Sequence, residues 1–171
     1  HRDLHSFPTR RSSDLSVLRR VSEDGSIFKQ EVLFKFPTTE QYIDKANELC
    51  SKLFNMSGLS EESQTMLATA FRESLINASQ HGNKHRKDKM LEVLYLLDKE
   101  KVTISITDNG FGFDWQKYLN VNKANDAVGR ARQSHKEGRL GGLGIMLMMK
   151  CVDQLEYSDT GNMVTLTKYL K

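Results

Sequence analysis

Two neighbouring segments with strand-like patterns constrain the fold of this chain most. In residues 102–107, Val102, Ile104 and Ile106 alternate with polar residues, and residues 90–97 form a second strand-like run. A polar connection, residues 98–101, separates the two runs. Alternation of this kind buries one face of a strand and leaves the other face polar. The sequence therefore predicts a β-hairpin whose second strand ends immediately before Asp108.

The other elements are predicted from hydrophobic periodicity and from glycine or proline boundaries. Thr38 with Gln41 is predicted to form a capping box for the first helix, and Ser60 is predicted to cap the second. The further predictions, in chain order, are a strand over residues 27–36, helices over residues 43–54, 60–82 and 145–152, and a closing hairpin of residues 155–157 and 163–170.

Composition excludes several classes of protein. The 171 residues suffice for one domain with a core, and the net charge of +3 is too small to indicate a nucleic-acid-binding protein. Cys50 and Cys151 lie far apart in apolar helical contexts, as expected for buried thiols in a reducing compartment. With no apolar run long enough for a membrane span and no secretory signal, we expect a cytoplasmic protein. The sequence also contains neither a P-loop motif nor a cluster of zinc ligands.

The first residues differ in character from the rest of the chain. Residues 1–15 resemble the translation of a common sequencing-library adapter, and we interpret them as an artefact rather than native sequence. We expect residues 16–26 to be a linker or the tail of a lost upstream domain. Residues 27–171 are expected to form the folded domain.

Three polar residues at helical spacing form the first candidate site. Glu73, Asn77 and His81 are spaced four residues apart, so a helix would carry all three on one face. Mg²⁺ prefers oxygen ligands and retains several waters, which suits the amide oxygen of Asn77. Glu73 would then be free to accept a proton as a general base. A solvated polar face is the alternative interpretation of the same row.

A second candidate site lies where the predicted hairpin ends, in the run Asp108-Asn109-Gly110-Phe111-Gly112-Phe113. A carboxylate at the end of a strand can accept the exocyclic amino hydrogen of adenine. Gly110 and Gly112 would let the base approach the backbone closely. The alternative is a simple turn, which Asp-Asn-Gly also favours.

A third candidate site is the glycine-rich run Gly141-Gly142-Leu143-Gly144 before the third helix. Backbone N–H groups at a helix N-terminus form a natural phosphate site, although the run could also be a flexible hinge. The long polar stretch before it, residues 114–140, is bracketed by glycines and favours a functional lid, with disorder as the alternative.

Taken in order, these three motifs resemble the three boxes of the Bergerat-fold (GHKL) ATPases. That superfamily includes gyrase, the MutL repair proteins, histidine-kinase catalytic domains and the bacterial anti-sigma factor serine kinases. Residues 27–171 look most like the anti-sigma factor kinases. The resemblance implies an α/β two-layer sandwich with an ATP lid, in which about three helices cover one face of a mixed, mostly antiparallel sheet.

The resemblance also implies roles for individual residues. Glu73 would be the general base, Asn77 the magnesium ligand, and Asp108 the residue that recognises adenine. Asn162 stands where the family often has a threonine that supports adenine recognition. The further residues that would bind ATP are His81, Gly110, Gly112, Arg139, Gly141, Gly142, Leu143, Gly144 and Asn162 itself.

The family's activity implies an ATP- and Mg²⁺-dependent protein-serine kinase. It would phosphorylate a serine of an anti-anti-sigma factor, otherwise sequester a sigma factor, and form a homodimer without direct contact to nucleic acid or membrane. Two alternatives stay open. One is an ATP-binding regulatory module of a larger phosphatase or receiver fusion. The other is the catalytic domain of a histidine kinase, which would need an upstream dimerisation segment with a phosphoacceptor histidine.

Overall fold

The fold was analysed in a computed structural model that describes residues 15–21, 28–116 and 142–170. The strands are β1 Ser16–Val21, β2 Gln30–Pro37, β3 Met90–Leu97, β4 Lys101–Thr107, β5 Gln154–Tyr157 and β6 Met163–Tyr169. The helices are α1 Glu40–Asn55, α2 Glu61–Asn77 and α3 Gly142–Cys151, and a π-helical turn, Ala78–Gly82, directly follows α2. Residues 117–140 of the predicted lid lie outside the described residues.

The strands form a sheet in the order β1-β2-β3-β4-β6-β5, and every described pair is antiparallel. The predicted hairpin of β3 and β4 is confirmed, with Tyr95 opposite Ile104 and Val93 opposite Ile106. β6 inserts between β4 and β5, so the last strands of the chain lie beside the hairpin. This order brings the β5–β6 turn next to the residues that follow β4.

One face of the sheet forms the core, and the helices cover it. Every second residue of β3 and β4 is buried, whereas the residues between them are only half-buried. Phe71 of α2 packs edge-on against Phe54 of α1, with ring centroids 6.2 Å apart, and Phe54 in turn contacts Tyr95 of β3. The predicted two-layer α+β architecture is therefore confirmed. Among the described residues, no helix has both the length and the apolar character needed to cross a membrane.

The start of the described chain differs from the prediction. We expected residues 16–26 to be a linker or tail, but Ser16–Val21 pairs with β2 as an additional edge strand. Val17 lies opposite Phe34, and Leu15 packs against the core. The run Ser-Val-Leu-Arg-Arg-Val does not alternate apolar and polar residues, so periodicity does not reveal a strand, and its pairing depends on the free edge of β2.

The predicted capping box at the first helix is wrong, whereas the cap of the second is confirmed. Thr39, not Thr38, precedes α1, and its side chain makes no capping hydrogen bond. The Thr38 hydroxyl instead donates to the Lys89 carbonyl oxygen at 2.8 Å. The Ser60 hydroxyl accepts a hydrogen bond from the Ser63 N–H, as expected at the start of α2.

Phe71 is predicted to be a main contributor to the stability of the core, because its ring is only 1% exposed. We expect Phe71→Ala to lower the free energy of unfolding by about 3–5 kcal/mol. Urea denaturation followed by circular dichroism would measure the change. The neighbouring exposed position provides the control, since Arg72→Ala should alter the free energy by no more than about 0.5 kcal/mol. Similar losses for both variants would contradict this assignment.

Candidate functional site

A pocket lies between the end of α2, the loop after β4 and the β5–β6 turn. Five of the predicted site residues line it, namely Asn77, His81, Asp108, Gly112 and Asn162. The prediction missed the other lining residues, which are Ser74, Ala78, Gly82, Ile106, Phe113, Tyr157, Gly161 and Val164. The missed apolar residues follow the same periodicity as the core, so the sequence carries no signal that separates them from it.

The helix that carries the polar row changes its winding inside the motif. α2 ends at Asn77, and the π-helical turn follows, closed by a hydrogen bond from the Asn83 N–H to the Ala78 carbonyl oxygen at 2.8 Å. The prediction of one regular α-helical face for Glu73, Asn77 and His81 is therefore wrong beyond Asn77. A π-helical turn contains more residues than an α-helical turn, and such turns are frequent at functional sites. His81 nevertheless reaches the pocket.

Asp108 is the buried carboxylate of the pocket, with 8% of its surface exposed. Its Oδ1 accepts a hydrogen bond from the Gly110 N–H at 2.7 Å, and its own N–H donates to the Asn162 carbonyl oxygen at 3.0 Å. Burial raises the pKa of the Asp108 carboxyl above its usual range, while the Gly110 N–H and the charge of Lys89 act in the opposite direction. The carboxylate is therefore held in a fixed orientation and is poorly solvated.

Glycines allow the segments around Asp108 to approach closely. A Cβ at Gly82 would overlap the Asp108 carboxyl group, and a Cβ at Gly110 would overlap the Gly82 carbonyl oxygen. Gly112 has a φ of +78°, and a Cβ there would overlap the Thr160 carbonyl oxygen. Gly110 therefore packs against Gly82 and the Asp108 carboxyl group, whereas Gly112 lies in the pocket lining. The sequence predicted that these glycines let the base approach the backbone; in the structure they let segments of the protein approach one another closely.

Asn162 has a structural role in addition to its place in the pocket. Its Oδ1 accepts hydrogen bonds from the Thr160 hydroxyl at 2.7 Å and the Ser158 hydroxyl at 3.1 Å. Its main-chain oxygen accepts the bond from Asp108 described above. The side-chain amide thus stabilises the β5–β6 turn, and the main-chain oxygen connects that turn to the backbone of Asp108.

An aromatic cluster forms one wall of the pocket. Phe113 contacts the Tyr157 ring edge-on at 5.3 Å, and Trp115 stacks on the same ring at 5.8 Å. The Trp115 indole N–H donates to the Ser158 carbonyl oxygen at 3.0 Å. Phe113 and Tyr157 of this cluster line the same pocket as Asp108, and aromatic rings in such a lining can pack against a planar heterocycle.

A second polar group lies where α2 meets α3. A Cβ at Gly144 would stand 3.2 Å from Glu73 Oε2 and 3.5 Å from Asn77 Nδ2, so these three predicted site residues lie together. The Asn77 amide nitrogen is buried, and no described residue provides it with a hydrogen-bond partner. A buried amide without a partner is costly, so this group is suited to a polar ligand. Glu73 itself does not line the pocket.

The glycine-rich run is only partly described. α3 begins at Gly142, three residues before the predicted start at Ile145, so Leu143 and Gly144 lie in its first turn. The N-terminus of α3 therefore faces the polar end of α2, as a phosphate site would require. Arg139 and Gly141, both predicted to bind nucleotide, lie outside the described residues.

The described residues provide few protein ligands for a metal ion. Within the described residues, no group of three or more His, Cys, Asp or Glu side chains could hold a metal. A site built on the Asn77 amide would take its remaining ligands from a bound anion and water, as Mg²⁺ does in nucleotide complexes. The side chains present fit this kind of site and do not fit a zinc site.

The sequence is similar to proteins of known classification. A family model described as a histidine kinase-like ATPase domain matches residues 36–168. The serine-protein kinase RsbW of Listeria monocytogenes is 27% identical over 141 residues, which cover 82% of this chain and 87% of that protein. RsbW of Bacillus pumilus is 28% identical over 141 residues, which cover 80% of this chain and 83% of its own. For RsbW of Staphylococcus aureus the identity is 23% over 139 residues, with coverages of 80% and 85%.

The family match includes every part of the described site. The matched range contains α2 with its π-helical turn, the loop after β4, α3 and the β5–β6 turn. The family description also makes ATP the nucleotide that a pocket of this kind uses. The chain therefore belongs to the histidine kinase-like ATPase domain family.

Proposed function

We propose that this chain is an ATP-dependent protein-serine kinase of the anti-sigma factor type. The observation that carries the proposal is the position of the Glu73 carboxylate, which lies beside the Asn77 side chain and the first turn of α3. The amide nitrogen of that asparagine has no hydrogen-bond partner in the described part of the chain. A domain that only bound nucleotide would need the Asp108 pocket but would not need a carboxylate beside the phosphate end. The serine-protein kinase names of the relatives agree with this activity.

In this proposal the Asp108 pocket binds the adenine base. The Asp108 carboxylate accepts the exocyclic amino hydrogen, and the side chains of Phe113, Tyr157 and Ile106 pack against the base. Gly112 lines the pocket and lets the loop after β4 lie against the Thr160 carbonyl oxygen. The triphosphate then extends towards the N-terminus of α3, where Gly142, Leu143 and Gly144 present backbone N–H groups. Arg139, Gly141 and His81 are further proposed contacts of the nucleotide.

Asn77 is the proposed protein ligand of Mg²⁺. When bound, the ion would neutralise charge that develops on the phosphate oxygens during transfer. An amide presents its oxygen or its nitrogen at the same place after a half-turn of the side chain, so the buried end of Asn77 can offer its oxygen. Asn77 would thereby hold the ion at the end of α2, beside Glu73.

Glu73 is the proposed general base. The substrate serine hydroxyl attacks the γ-phosphorus, and the bond between that phosphorus and the bridging oxygen of ADP breaks. ADP leaves with the electron pair of that bond, and the hydroxyl proton passes to the Glu73 carboxylate. Asn77 and the α3 N-terminus orient the phosphates during this step, so positioning supplies much of the rate enhancement.

The proposed substrate is a serine of an anti-anti-sigma factor, and the proposed second partner is a sigma factor that the kinase sequesters. We further propose that the kinase is a cytoplasmic homodimer. These assignments rest on the resemblance of the three motifs to the anti-sigma factor kinases. The serine-protein kinase names of the relatives support the phosphorylation of a serine. The regulatory-module and histidine-kinase alternatives predict no serine phosphate on such a partner.

Phosphoryl transfer provides the direct test of the proposal. Incubation with γ-labelled ATP, Mg²⁺ and an anti-anti-sigma protein should label a serine of that protein, identified by mass spectrometry. We expect Glu73→Gln to bind ATP within about threefold of the wild type but to transfer phosphate about 10²–10⁴ times more slowly. Tight ATP binding without any labelled serine would contradict the kinase assignment. An equal loss of binding and transfer in Glu73→Gln would contradict the role of the carboxylate.

Asp108→Asn should weaken ATP binding, because an amide can place a donor against the amino group of adenine. The expected loss in affinity, measured by isothermal titration calorimetry, is about 10–100-fold. Asp44→Asn, on the exposed surface of α1, is the matched control and should leave the affinity unchanged. If both variants bound ATP like the wild type, Asp108 would not be the residue that recognises the base.

The substitution Asp108→Asn, which should weaken ATP binding, is expected to stabilise the fold, because the pKa of the Asp108 carboxyl is raised. Because burial raises this pKa in the folded chain, the folded state binds the proton more tightly than the unfolded state does. The associated stability is fully present below the unfolded-state pKa and is lost as the pH rises through the raised folded-state pKa. Without nucleotide, Asp108→Asn should therefore melt at a higher temperature than the wild type at neutral pH, and the difference should shrink in acid. A pH-independent difference in melting temperature would contradict this explanation.

A further inference from the structure

Asn83 is a completely buried polar residue directly behind the proposed base pocket. It follows the π-helical turn, and 0% of its surface is exposed. It does not line the pocket, and in the sequence it stands between Gly82 and the basic loop, outside the three motifs. A buried amide of this kind is retained only where its hydrogen bonds are satisfied.

The side chain of Asn83 connects three separate segments. Its amide nitrogen donates to the Thr38 hydroxyl at 2.7 Å and to the Met90 carbonyl oxygen at 2.9 Å. Its amide oxygen accepts a hydrogen bond from the Asn109 N–H at 2.8 Å. One side chain therefore joins the start of α1, the start of β3 and the loop that contains Asp108.

A second asparagine, Asn109, also bonds through its side chain to the main chain of Met90. The Met90 N–H donates to Asn109 Oδ1 at 3.0 Å, while the Met90 carbonyl oxygen accepts from Asn83. Both main-chain groups of Met90 are thus held by side chains that flank Asp108 in space. This arrangement fixes the loop after β4 relative to the end of α2.

We propose that Asn83 is a positioning residue that sets the preference of the pocket for adenine. The proposal rests on the proposed function, because it assumes that the Asp108 carboxylate recognises the exocyclic amino group. Asn83 acts through the main chain of Asn109, next to Asp108, and does not touch the base. Loss of its oxygen would release that N–H and allow the loop to move away from Gly82.

Because the contacts around Asp108 are tight, a small movement of this loop would change the position of the carboxylate that is proposed to recognise the base. The Asp108 carboxyl group lies against Gly82, and Gly110 lies against the Gly82 carbonyl oxygen, with no room for a Cβ at either glycine. Since Asn83 is covalently attached to Gly82 and hydrogen-bonded to Asn109, it holds both sides of this contact. A hydrogen bond from a base depends steeply on the position and angle of the acceptor.

The experiment compares ATP with inosine triphosphate, whose base has a carbonyl oxygen in place of the amino group. Calorimetric titration of the full chain with each nucleotide and Mg²⁺ gives the ratio of the two affinities. We expect the wild type to prefer ATP by at least about a hundredfold. In Asn83→Ala this ratio should fall by about tenfold or more, equivalent to about 1.4 kcal/mol.

Thr38→Val is the matched control. The Thr38 hydroxyl accepts a hydrogen bond from the Asn83 amide nitrogen and donates one to the Lys89 carbonyl oxygen, so the substitution removes both bonds. It leaves the hydrogen bond from the Asn109 N–H to the Asn83 amide oxygen intact. We expect Thr38→Val to lower the melting temperature but to keep the nucleotide ratio within about threefold of the wild type. A ratio that falls equally in both variants, or in neither, would overturn the positioning role.

A milder variant keeps the proposal testable if Asn83→Ala does not fold. In Asn83→Ser the short hydroxyl cannot bridge Asn109 and Met90, so the nucleotide ratio should fall in the same direction, and an unchanged ratio would overturn the inference. The nucleotide ratio of the wild type distinguishes failure of the positioning role from failure of the proposed function. If the wild type itself bound both nucleotides equally or neither of them, the assignment of Asp108 would fail, and the role of Asn83 would fail with it.

Discussion

The contact between the Asp108 carboxyl group and Gly82 determines how the parts of the site meet. It joins the end of β4 to the end of α2, and a side chain larger than hydrogen at Gly82 would prevent it. The carboxylate is poorly solvated there and is held by the Gly110 N–H. Its unfavourable burial is consistent with a group kept for binding, because desolvation of the carboxylate outweighs the opposing effects of the Gly110 N–H and the charge of Lys89.

The same helix serves the core and the site. The Phe71 side of α2 packs against α1 and the sheet, and its polar residues Glu73 and Asn77 meet the first turn of α3. The winding then changes to a π-helical turn, which brings Gly82 and Asn83 to the loop after β4. Because the core side of α2 is buried and packed, it also sets the positions of the polar residues on the helix.

Much of the fold could be predicted because it depends on local periodicity. The alternation in β3 and β4, the glycine boundaries and the Ser60 cap all reflect rules that act within a few residues. Predictions failed where a contact with a distant segment decides the outcome. Thr38 bonds to Lys89 instead of capping α1, and residues 16–21 pair with the free edge of β2. The π-helical turn that moves His81 off the regular helical face leads to Asn83, whose side chain bonds to three separate segments.

The order and identity of the three polar motifs follow from the sequence alone, and so do the family and the residues that could bind a nucleotide. Three further features could be seen only in the folded chain: the backbone groups that surround Asp108, the pocket wall formed by Tyr157 and Phe113, and the connection of three segments by Asn83. These contacts join residues far apart in the chain, so no local pattern predicts them. Their formation depends on the strand order, in which β6 lies beside β4, and on the close approach that glycines permit.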